Sequence, residues 1–195
     1  YSWTIPTTLN GNIKYVCQPD GGSYSRVIVE DTGLGIYVTS ESNTFIIKGK
    51  LGFTSATETT LAADLVCGDA PSIAWTREGD VDAINLKYAT NGTSFTNTLR
   101  ADDPFPTVSS TSDSWGWSIP EDQTMTATYK LMVEDTNYER AGAVGAFYES
   151  DTFTVKGALS ITSSITPDTW YIGTTEVITW DIDHGDIGNI RVYLS

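Results

Sequence analysis

The sequence predicts an all-β fold made of tandem β-sandwich modules, of which one is complete and two are partial. Two observations predict this fold. Apolar and polar residues alternate in short runs bounded by Gly, Pro, Asn, Asp and Ser, a pattern typical of strands, and helical periodicity is almost absent. In addition, three stretches return one module length further along the chain. These stretches are YSWTIP and WGWSIP at residues 1 and 115, RVIVEDT and KLMVEDT at residues 26 and 130, and TFIIKG and TFTVKG at residues 44 and 152.

The recurring stretches divide the chain into three predicted segments. Residues 50–157 are expected to form one complete β-sandwich module, residues 1–49 the second half of a module, and residues 158–195 the first half of another. A whole copy is large enough to bury its own core, whereas half a copy is not. Each half is therefore expected to need a partner, supplied either by a longer polypeptide or by a neighbouring chain.

The number of strands in the complete copy predicts the kind of sandwich. Seven short strands separated by turn residues are typical of an immunoglobulin-like or fibronectin-like sandwich. The predicted strands lie near residues 50–55, 72–76, 84–89, 93–99, 114–119, 126–134 and 150–156.

Turn residues refine this organisation. The Asn91-Gly92 pair lies between two alternating runs, and Asn-Gly in that position is a strong signal for a β-hairpin. Gly49 and Gly157 each close the last strand of a copy and lead directly into the next copy. Such short linkers leave neighbouring modules little freedom, so we expect stiff junctions.

The residues from 158 onwards follow the first half of the complete copy. Leu159 corresponds to Leu51, and Trp180 corresponds to Trp75. The same stretch contains three further motifs, PDTWYIG at residue 167, VITW at residue 177 and GNIRVYLS at residue 188. The third segment therefore begins in register with the second.

Taken in order with the recurring stretches, these motifs resemble a known module, the Ser/Thr-rich, yeast cell-wall-synthesis-type extracellular β-sandwich repeat. That repeat occurs in tandem in bacterial and archaeal surface proteins of the S-layer type. The complete copy departs from the pattern, because ETTLAADLVCG at residue 58 stands where PDTWYIG is found in the third copy. The resemblance implies an exported, non-catalytic module at the cell surface, and it does not identify a ligand.

Charge excludes several classes of partner. The chain has 25 acidic and 11 basic residues and a formal net charge of −14. Binding to nucleic acid needs clustered Lys and Arg, so nucleic acid is not expected as a partner, and anionic membrane surfaces are disfavoured. No apolar run approaches the ~20 residues of a membrane span. The expected partners are copies of the chain itself or adjacent modules of the same polypeptide, with glycans as a further candidate.

Clustered carboxylates make calcium the one candidate cofactor, because Ca²⁺ prefers hard oxygen ligands. Acidic pairs end the predicted longest strand in two copies, and three aspartates crowd one predicted turn. The alternative is that these residues only end strands and solvate turns. The candidate calcium ligands are Glu30, Asp31, Glu134, Asp135, Asp181, Asp183 and Asp186.

The two cysteines and one sequon are candidates for covalent modification. Cys17 and Cys67 are the only cysteines, and in an exported protein a disulfide between them is the natural chemistry. The alternative is two unrelated buried thiols, which behave as small hydrophobes. Asn91-Gly-Thr93 is the one N-glycosylation sequon, and its predicted hairpin position would expose Asn91.

Aromatic residues and the single histidine offer little catalytic chemistry. Trp3, Trp75, Trp117 and Trp180 recur within alternating strands, so they are expected to be core residues, whereas Trp115 and Trp170 are better candidates for the surface. His184 is the only histidine and lies in a predicted polar turn, where a solvated role is expected. We therefore do not expect an enzyme.

These observations lead to one functional hypothesis and one alternative. The chain is predicted to be a structural component of an S-layer, sheath or extracellular filament at the cell surface. Its half modules would be completed within one polypeptide or by strand complementation between subunits. The alternative is a surface adhesin or a carbohydrate-binding stalk, for which exposed aromatic residues confined to one copy would be the supporting feature.

Overall fold

The computed structural model describes residues 2, 28–30, 39–43, 49–79, 81, 83–104, 111–136, 145–163 and 169–193. Among them it contains several β-sheets and one short helix, which confirms the predicted all-β class. The elements are β1 (Ile28–Glu30), β2 (Thr39–Glu41), β3 (Lys50–Phe53), α1 (Ser55–Ala62), β4 (Leu65–Val66), β5 (Ser72–Glu78), β6 (Ala83–Ala89), β7 (Asn97–Pro104), β8 (Ser112–Gly116), β9 (Thr126–Asp135), β10 (Phe147–Glu149), β11 (Phe153–Lys156), β12 (Ala158–Ile161) and β13 (Trp180–His184).

The complete copy consists of two sheets. The larger sheet has the strand order β4-β11-β9-β6-β7, with β10 also paired to β9, and the smaller sheet has the order β3-β5-β8. The pairs are antiparallel except for β4 and β11, which run parallel. Two further two-stranded sheets, β1-β2 and β12-β13, lie in the segments that the sequence predicts to be partial copies.

The core of the complete copy includes inward-facing residues from both sheets. In β5 the side chains of Ile73 and Trp75 are buried, and the residues that follow each of them are more exposed. In β6 Ile84 and Leu86 alternate in the same way. One hydrophobic cluster contains these four residues together with others from β3, β9 and β11, as expected for a sandwich-like packing of two sheets.

Helix α1 is a feature that the strand pattern did not predict. Thr54 caps its start, because the Thr54 hydroxyl accepts a hydrogen bond from the backbone N–H of Thr57 at 3.3 Å. Thr57 and Leu61 lie one turn apart and are the buried residues of the helix. The helix overlaps the start of the ETTLAADLVCG stretch, where the sequence differs from PDTWYIG of the third segment.

All seven predicted strands of the complete copy are found, with shifted ends, and β4 and β10 are additional strands. The predicted hairpin is confirmed, since β6 and β7 pair antiparallel across the loop that holds Asn91-Gly92. The loop is longer than a two-residue turn because the Asn91 Oδ1 accepts hydrogen bonds from the backbone N–H groups of Thr93 and Ser94. β7 therefore begins at Asn97 rather than near residue 93.

One hydrogen bond favours the immunoglobulin-like or fibronectin-like assignment, which stays a prediction. The Tyr129 hydroxyl, at the buried start of the apolar run in β9, donates to the carbonyl oxygen of Thr124 at 2.5 Å. It also accepts a hydrogen bond from the Gln123 side-chain amide at 2.8 Å. A tyrosine bonded back to the backbone a few residues upstream is a recurring corner in immunoglobulin-type sandwiches.

Strand register repeats between the copies. In β12-β13, Ile161 lies opposite Trp180, as Phe53 lies opposite Trp75 in β3-β5. The register shifts by one residue between Ala158 and Leu159, so the match holds from Leu159 onwards. The third segment thus reproduces the β3-β5 pairing from Leu159 onwards.

In the first segment, the strand pair β1-β2 has the register of β9-β10. In β1-β2, Val29 lies opposite Ser40, and in β9-β10, Val133 lies opposite Tyr148. The recurring stretch RVIVEDT/KLMVEDT aligns Val29 with Val133, and TFIIKG/TFTVKG aligns Ser40 with Tyr148. All three residue pairs of β1-β2 follow the register of β9-β10.

Candidate functional site

The β12-β13 sheet exposes an apolar surface, called here the open face, that consists of Leu159, Ile161, Trp180 and Ile182. Their exposed fractions are 47%, 67%, 40% and 48%. The four residues share one face because Leu159 pairs with Ile182 and Ile161 pairs with Trp180 directly across the two strands. Exposed apolar residues grouped on one face of a sheet are typical of an interaction surface.

The equivalent face of the complete copy is covered. Leu51, Phe53, Trp75 and Arg77 occupy the corresponding positions of β3-β5, and their exposed fractions are 3%, 8%, 1% and 7%. Phe53 packs edge-on against the ring of Tyr148 in β10, with ring centroids 5.8 Å apart. The second half of the module therefore contributes to covering the first half.

Other aromatic residues of the second half pack against one another. Trp117 lies with its ring centroid 6.3 Å from that of Phe153 and 6.5 Å from that of Tyr129. These three residues belong to the same buried cluster as Trp75. An apolar surface rich in aromatic side chains is therefore the kind of surface that would bury the open face.

The junction between the complete copy and the third segment is close. Gly157 is the single residue between β11 and β12, and a Cβ atom placed on it would lie 2.5 Å from the carbonyl oxygen of His184. Gly185, with φ of +84°, lies against Gly157, and its N–H donates to the carbonyl oxygen of Glu121 at 2.9 Å. Both positions therefore require glycine.

A second glycine pair repeats this contact at the preceding boundary. Gly79, with φ of +83°, lies so close to Gly49 that a Cβ atom on Gly79 would be 3.3 Å from the Cα of Gly49. Sequence reasoning used Gly49 and Gly157 only as linker residues and missed their partners. Gly79 directly follows β5, and Gly185 directly follows the equivalent strand β13. This recurrence of glycine is the signal that could have identified the partners of Gly49 and Gly157.

His184 lies at this junction rather than in a solvated turn. It is the last residue of β13 and is half-buried, with its ring against Gly68 of the complete copy. Its Nδ1 is buried and has no hydrogen-bond partner among the described residues. The expectation of a solvated histidine in a polar turn is therefore wrong, because the strand continues to His184 and the ring packs against Gly68.

Two of the predicted calcium ligands lie at the end of β9, the longest described strand. The Glu134 side chain is 1% exposed, and its Oε1 lies 2.6 Å from the Lys87 ammonium and 3.1 Å from the Asn85 amide nitrogen. Asp135 is also buried. Lys87 provides the positive charge that the buried Glu134 carboxylate needs, and the sequence analysis did not anticipate this pair.

The three aspartates at residues 181, 183 and 186 are exposed and do not share one turn. Asp181 and Asp183 lie within β13, and Asp186 follows it. Asp183 accepts a hydrogen bond from the Ser160 hydroxyl at 3.0 Å. The prediction of a crowded turn is therefore wrong, because the strand continues to His184.

Within the described ranges, no three His, Cys, Asp or Glu side chains gather in a group able to hold a metal ion. Glu30 ends β1, and Asp31 lies outside the described residues. Calcium binding stays a prediction.

Cys67 is buried, and its thiol donates a hydrogen bond to the carbonyl oxygen of Gln123, with 3.4 Å between sulfur and oxygen. Burial raises the pKa of the Cys67 thiol above its ordinary value, and the nearby carboxylate of Asp122 adds to that effect. Cys17 lies outside the described residues, so the Cys17–Cys67 disulfide stays a prediction.

In the reduced, native chain we expect Cys67 to react slowly with a chromogenic disulfide reagent, because the sulfur is covered and little thiolate is present near neutral pH. A separate sample that has never been exposed to reductant is titrated in urea, which counts the free thiols of the chain as isolated. Two thiols would mean that the cysteines are unpaired, and none would mean that they form a disulfide. Rapid reaction of Cys67 in the native, reduced chain would contradict the burial described here.

Asn91 is exposed in the loop between β6 and β7, as predicted. Its Oδ1 accepts hydrogen bonds from the Thr93 and Ser94 backbone, whereas its Nδ2, the atom that would carry a glycan, makes no hydrogen bond to the described residues. Glycosylation of Asn91 stays a prediction.

The tryptophans divide between core and surface. Trp75 and Trp117 are 1% exposed, which confirms the expected core role, and Trp3 lies outside the described residues. For Trp180, at 40% exposed, the core prediction is wrong, because no second sheet covers it within the described chain. The last two tryptophans were predicted to be surface candidates: Trp170 is exposed, and Trp115 packs against the core.

Comparisons with known proteins add no relative. No protein-family model matches the chain, and no curated protein is significantly similar to it. Among the described residues, no helix has the length and the apolar character of a membrane-spanning segment.

Proposed function

We propose that the chain is a structural component of an extracellular assembly at a cell surface, such as an S-layer, a sheath or a filament built from tandem modules. One observation carries this proposal: the same strand pairing and the same glycine–glycine contact recur at successive boundaries of the chain. A repeated boundary without a spacer fixes each module against the next one, which a scaffold requires and a catalyst does not.

The contacts at the junction support a stiff connection. Only Gly157 separates β11 from β12, and the hydrogen bond from Gly185 to Glu121 ties the third segment to a loop of the complete copy. The His184 ring packs on Gly68 of the same copy. A linker of one residue with contacts on both sides leaves little freedom for bending.

The net charge of −14 is in keeping with this proposal, because a strongly acidic surface keeps a crowded assembly soluble. The resemblance to extracellular β-sandwich repeats of S-layer-type proteins points in the same direction. We therefore place the protein outside the cell, with copies of the same chain or adjacent modules as its partners.

Protease shaving of intact source cells tests the location. Peptides of this chain are expected in the supernatant before cytoplasmic marker proteins appear, and antibodies against the chain are expected to label the envelope in electron micrographs. Peptides that appear only after lysis, together with labelling confined to the cytoplasm, would overturn the proposal.

A carbohydrate-binding stalk is the second candidate, and exposed aromatic residues favour it. Trp170 and Tyr171 are adjacent and have exposed fractions of 42% and 71%, and aromatic rings at a surface stack on sugars. Retention of the chain on polysaccharide columns, lost in Trp170→Ala and kept in Tyr193→Ala, would support this candidate. Equal elution of all three proteins would remove it.

A further inference from the structure

We infer that Asn91 is a site at which the chain modifies itself, through attack of the Gly92 backbone nitrogen on the Asn91 side-chain amide. The product is a succinimide, which water opens to aspartate or isoaspartate. The reaction needs only water and the loop of residues 90–96 between β6 and β7, so the inference is independent of the proposed function. An exposed amide, an unhindered nucleophile and two hydrogen-bond donors at the amide oxygen support it.

The side-chain amide of Asn91 is open to solvent. The residue is exposed, and its Nδ2 makes no hydrogen bond to the described residues. Nδ2 is the atom that leaves as ammonia when the ring closes, so no hydrogen bond within the described chain opposes its departure. Water, which has to reach the succinimide to open it, has access to the same position.

Gly92 provides the attacking nitrogen. Its φ is +74°, in the region that favours glycine, and a Cβ atom placed on it would lie 3.4 Å from the carbonyl oxygen of Thr128. No side chain of residue 92 therefore shields the nitrogen. The Gly92 N–H also makes no hydrogen bond to the described residues, because the loop interrupts the pairing of β6 with β7.

Two backbone donors contact the oxygen on which negative charge develops. The Asn91 Oδ1 accepts hydrogen bonds from the N–H of Thr93 at 3.1 Å and from the N–H of Ser94 at 2.8 Å. When the Gly92 nitrogen adds to the Asn91 Cγ, Oδ1 becomes an oxyanion. Hydrogen bonds to a charged oxygen are stronger than those to a neutral carbonyl, so both donors stabilise the tetrahedral intermediate more than the starting amide.

The loop is anchored on both sides of the reacting pair. The Thr128 hydroxyl in β9 donates to the carbonyl oxygen of Thr90 at 2.7 Å. On the other side, the Thr96 N–H donates to the carbonyl oxygen of Ser94 at 3.0 Å. The folded chain thus holds the amide and its two donors in place before the reaction begins, which lowers the entropy that the reaction has to lose.

The reaction balances with water as the only co-reactant. A bond forms between the Gly92 nitrogen and the Asn91 Cγ, the bond from Cγ to Nδ2 breaks, and the Gly92 amide proton leaves with Nδ2 as ammonia. Water then adds to one of the two succinimide carbonyls, and the loop gains a carboxylate. Conversion removes the asparagine of the Asn91-Gly-Thr93 sequon, so a glycan on Asn91 and conversion of Asn91 exclude each other.

Tryptic mass spectrometry of the folded 195-residue chain, sampled during incubation at neutral pH, tests this inference. The tryptic peptide of residues 88–100 contains Asn91 and also Asn97, which lies in β7 before Thr98 and is the internal control. Asn91 is expected to convert about tenfold faster in the folded chain than in the isolated peptide, because only the folded loop positions both donors. Asn97 is expected to stay intact in the folded chain. An Asn91 rate in the folded chain that is no higher than in the peptide would overturn the inference.

Two variants at residue 94 test the role of the donors. Ser94→Pro removes one backbone N–H and is expected to lower the rate towards that of the peptide, whereas Ser94→Ala keeps the N–H and is expected to react as the parent chain does. Circular dichroism checks that each variant is folded. A folded Ser94→Pro chain that converts as fast as the parent would contradict the role of the donors. Should Ser94→Pro not fold, the comparison of the parent chain with the peptide decides.

Discussion

Replacing Trp75 with alanine is expected to lower the free energy of unfolding by about 3–5 kcal/mol. Trp75 is 1% exposed at the centre of β5 and belongs to the cluster that joins both sheets, so its removal leaves a cavity that the packed neighbours cannot fill. Urea unfolding followed by circular dichroism, with dilute chain so that association does not contribute, measures the change.

The chain provides its own control for this prediction. Trp180 occupies the same position in the next copy and is 40% exposed, so Trp180→Ala is expected to lower the free energy of unfolding by less, about 1–2 kcal/mol. Equal losses in the two variants would show that Trp180 is buried in the isolated chain, contrary to the exposure of the open face.

Replacing Lys87 with methionine is expected to cost about 3–5 kcal/mol of stability near neutral pH, because it leaves the Glu134 carboxylate buried without its positive partner. The Lys87 and Glu134 side chains are 15% and 1% exposed, and the charged atoms are 2.6 Å apart. The double variant Lys87→Met with Glu134→Leu is expected to recover much of the loss, because it also removes the buried charge.

An exposed ion pair of the same type is the control. Lys50 and Glu78 lie 3.1 Å apart with side-chain exposures of 74% and 48%, and Lys50→Met is expected to cost less than about 1 kcal/mol. The same urea titration measures both variants. A Lys87→Met chain as stable as Lys50→Met would contradict the account of Glu134 as a carboxylate that depends on Lys87.

Much of the fold could be predicted because the strand signal is local and repeated. Alternation of apolar residues locates β5, β6 and β9 within a few residues, and recurring stretches locate the register of the partial copies. Helix α1 was missed because it is short and depends on the Thr54 cap and on the burial of Leu61. Neither feature produces the repeated apolar spacing by which a helix is recognised in a sequence.

The candidate sites were harder to predict because they depend on which strands become neighbours. The Glu134–Lys87 pair forms only once β6 and β9 are adjacent, with Lys87 opposite Met132, so a carboxylate considered as a metal ligand turned out to have a lysine partner. Similarly, the position of Trp180 in an alternating strand is the same as that of Trp75. Whether it is buried depends on a second sheet, which the local pattern does not specify.

The pairing of β11 with β4 on one side and β9 on the other bears on how the protein would respond to tension along the proposed assembly. β11 is the strand directly before Gly157, and at its end it is held by β4, by the hydrogen bond from the Cys67 N–H to the Lys156 carbonyl and by the Lys156–Asp64 ion pair. A pull from the next module would act along β11, across the direction of its hydrogen bonds. Those hydrogen bonds would have to break together in shear rather than one by one. Each module would therefore resist stretching most strongly at β11, the strand that transmits the force to the next module.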